Sequence, residues 1–153
     1  MNKEELFLQT ANDQANELED SRKHVDTRAT GILGLGGALI GSISLVQNDW
    51  ADWSFIPVIF VIVGFVGVSF TSLASIWLRK WEFQPPLQDL YKHIESEEYE
   101  DEILVLWTGK QIMSATANNR KALNSKSLCL SWAYISLLIE IVALGTFITS
   151  VFI

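Results

Sequence analysis

The chain is poor in the side chains from which soluble catalytic and metal sites are built. Its one cysteine, Cys129, cannot close a disulfide within the chain, and its apolar neighbours give it a packing role. The two histidines, His24 and His93, stand far apart in sequence beside charged residues, so no Cys/His metal cluster is expected. No phosphate-cradling G-x-x-x-x-G-K-[ST] occurs. Gly31, Gly34, Gly36 and Gly37 imitate a dinucleotide loop, but they follow a charged helical segment rather than a strand. Basic charge is scarce as well: 11 Lys and Arg against 18 Asp and Glu leave a net charge of −7, which argues against a nucleic acid polymer as partner. The first apolar block begins only at residue 29 and no small-residue cleavage site follows it, so no cleaved signal is expected. Neither an enzyme nor a cofactor is expected from these residues.

Three long apolar blocks are present, at 29–47, 55–78 and 128–153, with Glu140 the only charged side chain among them. Crossing ~30 Å of hydrocarbon takes about 20 helical residues, and each block approaches or exceeds that length. The buried helices of a soluble protein are the alternative, but a chain this short could not hide all three. The expectation is therefore an all-α, polytopic membrane protein with three transmembrane helices and a helical cytoplasmic layer.

All 11 basic residues lie before the first block or between the second and third, and none falls in the 48–54 turn or after the third. The positive-inside rule then places residues 1–28 and 79–127 in the cytoplasm and the C-terminus outside, in the inner (plasma) membrane. Trp50 and Trp53 would anchor the outer interface, and Trp77 and Trp81 the inner one, beside Arg79 and Lys80.

Leu8, Ala11, Ala15, Leu18, Arg22, Val25 and Ala29 recur at alternating spacings of three and four, which is a heptad seam. With no Pro or Gly in between, one helix should run from this segment into the first span. A helix lying on the inner leaflet is the alternative, disfavoured because its polar face is acidic and anionic lipid would repel it. Pro85-Pro86 suits the start of a helix faced by Leu87, Leu90, Tyr91 and Ile94. The acidic residues Glu95, Glu97, Glu98, Glu100, Asp101 and Glu102 read as a solvated turn and a helix start rather than a divalent-cation site. From Asp101 the chain can stay helical into the third span, weakened but not ended by Gly109.

Two intramembrane features stand out. Thr30, Gly34, Gly37, Gly41 and Ser44 form a small-residue stripe, answered by Gly64, Gly67, Thr71 and Ala74 or Ser75 in the second span. These faces either pack spans one and two as a hairpin or join neighbouring subunits. Glu140, with Ser136 one turn earlier, is costly at mid-bilayer and must face protein or water. It either hydrogen-bonds, protonated, to a Ser or Thr of another span, or lines and gates a conduction path.

The stretch 18–41, LEDSRKHVDTRATGILGLGGALIG, carries the step Asp26-Thr27-Arg28-Ala29 ahead of a glycine-rich span. It resembles the entry to the first span in bacterial anti-phage effectors of the cyclic-nucleotide-triggered Pycsar and CBASS type and their SLATT-like relatives. The run Gln111-Ile112…Asn119…Lys126 is similar to that group too. The resemblance implies a membrane part that oligomerises and permeabilises the inner membrane in abortive infection. With no fused sensor in these residues, the trigger is expected from a cytoplasmic sensor protein or a signalling nucleotide held between helical stalks. A scaffold recruiting a soluble partner and a holin-like or small-ion permease subunit are the rival readings.

Overall fold

A computed structural model of the chain describes residues 3–43, 55–77 and 101–152, all helical. Helix α1 is Lys3–Ile43, α2 is Phe55–Trp77 and α3 is Asp101–Phe152. Helix α1 has no proline. The only proline of α2, Pro57, sits in its first turn, where the missing N–H would have had no intrahelical acceptor. The many β-branched residues of α2 suit a helix in lipid, where every backbone group must be bonded within its own segment.

Helix α2 and the Ile103–Ser150 part of α3 are long and apolar enough to cross a membrane. Helix α3, at 52 residues, spans roughly 78 Å at 1.5 Å per residue, far more than a bilayer is thick. Its basic residues all precede Ser127. The apolar part of α1 begins at Ala29 and is described only to Ile43; residues 44–47 of the expected first span lie outside the described residues. Also outside them are the 48–54 turn, Trp50, Trp53, Trp81, His93, the helix expected after Pro85-Pro86 and the acidic residues 95–100.

Two compact units emerge from the contacts. One takes residues 1–23 and 79–124, the other 24–78 and 125–153. In the first, Ala11 and Leu18 of α1 and Ile112, Asn119 and Ala122 of α3 are buried. The Phe7 ring fills the space over Gly109, where any Cβ would collide with it. The seam positions Ala11 and Leu18 are thus buried within the chain itself.

The second unit packs α1, α2 and α3 together. Ala29, Ile32, Val68, Leu130, Ala133 and Leu137 make one apolar cluster. Ile43, Val58, Val61, Ala143, Leu144 and Phe147 make another. On α3 the buried positions Lys126, Leu130, Ala133, Leu137, Glu140, Ala143 or Leu144, and Phe147 keep the three-four alternation. The outward residues of α2 and α3 are large and apolar, among them Phe60, Phe70, Leu138 and Val142, as a lipid-facing surface requires.

Candidate functional site in the membrane

Glycines decide where the three helices of the second unit come closest. A Cβ on Gly64 would stand 2.9 Å from the Cβ of Glu140 and 3.1 Å from its Cα and backbone N. That contact is backbone against backbone, so only glycine fits. One turn along, a Cβ on Gly67 would stand 2.7 Å from the Ser136 Oγ. From α1, a Cβ on Gly36 would meet the Glu140 Oε2 and the Val68 Cγ1, each at 3.1 Å. Glu140 therefore lies between α1 and α2, in space that two glycines keep open.

Glu140 is 0% exposed, and neither of its carboxyl oxygens has a hydrogen-bond partner among the described residues. The Ser72 Oγ, on the same face of α2, is likewise buried and without a partner. Ser136 packs against Gly67 rather than bonding the acid.

A second polar cluster joins the same three helices. The Lys126 Nζ donates to Asp26 Oδ1 of α1 at 2.8 Å, and to the Ile76 carbonyl near the end of α2 at 3.5 Å. The Ser75 Oγ of α2 donates to the Lys126 carbonyl at 3.2 Å. A cation at this point suits the unsatisfied carbonyls and the negative end of α2. Lys126 is 6% exposed, so the pair is largely withdrawn from water.

The glycine stripe of α1 divides differently from the expected pairing. Among the described residues a Cβ on Gly34, Gly37 or Gly41 would meet nothing within 4 Å, while Gly64 and Gly67 of α2 press on α3. The glycine of α1 that packs is Gly36, which lies off the small-residue stripe. Its signal was available: the seam through Arg22, Val25 and Ala29, continued by the same steps, gives Ile32, Gly36 and Ile43. The Asp26–Lys126 pair was also missed, since two residues 100 positions apart show no common spacing. Trp77 stands 87% exposed at the end of α2. Among the described residues no cluster of metal-ligating side chains occurs.

A family profile described as the Pycsar effector protein domain matches residues 10–153. The chain belongs to the Pycsar effector transmembrane family. No curated protein and no solved structure matches it. Family membership points to a membrane effector of anti-phage defence, in the inner membrane and within a cyclic-nucleotide-sensing system. The match takes in both units, including Asp26, Lys126, Glu140 and every glycine discussed above.

Proposed function

We propose that this effector kills the infected cell by assembling into a homo-oligomer that permeabilises, and so depolarises, the inner membrane. The observation that carries the reading is Glu140, a carboxyl group shut among apolar helices with neither oxygen partnered. Ionisable residues at membrane depth normally face protein polar groups or a water-filled path. Among the described residues Glu140 has neither, which suits a resting form that opens.

Assembly proceeds through the uncovered face of α1, where Gly34, Gly37 and Gly41 leave a second helix room to approach closely. Rearrangement of the three helices then presents Glu140 and Ser136 to the path, where a ring of carboxylates selects for cations. Residues 1–28 and 79–127 face the cytoplasm and the C-terminus faces outward, as the basic residues require. Trp77, with Trp50, Trp53 and Trp81, sits at the headgroup levels. The trigger comes from a cytoplasmic sensor protein or a signalling nucleotide. In the first unit, a groove of about 380 Å³ lined by Gln14, Glu17, Ser21, Thr116 and Arg120 offers it polar contacts.

The test is inducible expression in a bacterium carrying a voltage-sensitive dye, alone and together with the genes neighbouring this one. Depolarisation and growth arrest are expected, with Glu140→Gln still leaking but less selective for cations. A polarised, growing culture under both regimes would overturn the proposal and favour a scaffold.

A further inference from the structure

The position of Glu140 is also a statement about the folded chain before any opening. Its neighbours on the α3 seam are Leu137, Ala143, Leu144 and Phe147, and a residue of similar size without polar atoms would continue that packing. Instead the chain holds a carboxyl there. Ionised, it lacks a counter-charge, for Lys126 of the same helix is engaged with Asp26. Neutral, its O–H lacks an acceptor and its carbonyl oxygen a donor among the described residues. Either form forgoes interactions that water or a polar partner would supply, and an unmade hydrogen bond in hydrocarbon is strongly unfavourable. The Ser72 Oγ adds a further orphan to the same α2 surface. The close backbone approach at Gly64 shows that this burial is a built feature of the packing, not a loosely placed side chain.

We infer that Glu140, enclosed between Gly36 and Gly64 with its carboxyl unpartnered, keeps the resting three-helix packing metastable and acts as the spring that activation releases. When the helices rearrange, the carboxyl gains water or a polar group of a second copy, and that gain drives the change in one direction. The purpose of the spring rests on the permeabilising function proposed above; its existence does not. Replacing the acid by an apolar side chain therefore stabilises the resting form and hinders opening, whereas most substitutions of buried residues destabilise.

Thermal unfolding of the purified full chain, in detergent and in phosphatidylethanolamine/phosphatidylglycerol vesicles, tests this. Glu140→Met and Glu140→Leu replace the carboxyl by apolar groups of similar bulk but different shape, so a misfit of one does not condemn the other. At least one should raise Tm by about 3 °C or more, the shift that about one kcal/mol gives a chain of this size. Glu140→Gln, whose amide is equally without partners, should melt within about 1 °C of wild type. At equal expression the stabilised variant should depolarise cells more slowly than wild type. Both apolar variants melting at or below wild type would overturn the inference, as would a raised Tm with undiminished depolarisation. A wild type that never depolarises cells, with the expected order of Tm, would remove the permeabilising function and leave the metastable packing standing.

Discussion

The two units use one seam chemistry in two different solvents. In both, residues spaced alternately by three and four turn inward. In the first unit the outward residues include Lys3, Glu5, Asp13, Glu17, Lys110 and Arg120; in the second they include Phe60, Val63, Phe70, Leu138 and Val142. Around the charged surface, burial of Ala11, Leu18 and Ile112 removes apolar area from water and that alone favours association. Around the apolar surface no such drive exists, because lipid is as apolar as the seam. There the helices are held by close backbone approach and by polar groups with strong partners. Accordingly, the second unit carries Gly64 against the Glu140 backbone and the Asp26–Lys126 pair, and the first carries a ring over a glycine.

The contrast is broken most severely at Gly64. A methyl group in Gly64→Ala would press on the Cα, Cβ and N of Glu140, and backbone cannot move aside as a side chain can. Destabilisation by about 3 kcal/mol is expected, read as a lowered Tm and faster proteolysis. Because the obstacle is backbone, Glu140→Ala should not rescue it. Rescue by that second substitution would show that the helices are held apart by the side chain alone.

Next comes the ion pair. Asp26→Ala leaves the Lys126 ammonium, 6% exposed, with only the Ile76 carbonyl in reach among the described residues. Removing one partner of a buried pair is more harmful than removing both. A loss of about 2 kcal/mol is expected, discounted because the Asp26 side chain remains 31% exposed. The double variant Asp26→Ala with Lys126→Met should recover more than half of it. A double-variant loss equal to the sum of the single losses would mean the two charges do not act on each other.

At Gly109 the obstacle is the Phe7 ring. Gly109→Ala should cost about 1 kcal/mol, the displaced ring outweighing the better helix propensity of alanine. In a Phe7→Ala background the sign should reverse, since the space is then free and propensity alone acts. The same substitution is thus correctable from its partner in the first unit and uncorrectable in the second. An unchanged sign in that background would erase the distinction.

Much of this was legible in the sequence. Helicity from Asp101 through Phe152 followed from the lack of breakers, and the seam from Leu8 to Ala29 marked residues that the fold buries or half-buries. Composition did not decide between the two uses of the glycines: within the chain α1 continues its heptad and packs through Gly36, not through the GxxxG step at Gly37 and Gly41. Small residues permit close approach but do not choose a partner, while periodicity states which face is already turned inward. The Asp26–Lys126 pair lay beyond reach for another reason: each residue reads locally as an ordinary interface charge, and only the packing of α3 beside α1, running in the same direction, brings them together.

The smallest effect on the chain itself is expected on the glycine face that the fold leaves open. Among the described residues a Cβ at Gly37 or Gly41 would meet nothing within 4 Å, and leucine replaces a poor helix former by a good one. Gly37→Leu and Gly41→Leu should therefore leave Tm unchanged or raise it slightly. If this face joins copies, the same substitutions should abolish the oligomer on crosslinking and with it the growth arrest, because a bulky side chain holds two helices apart. The unaltered Tm is what makes the outcome informative, since a lost oligomer cannot then be blamed on a misfolded chain. A leucine variant that melts like wild type, assembles and still arrests growth would remove this face from the assembly. The search would then move to the apolar outer surfaces of α2 and α3.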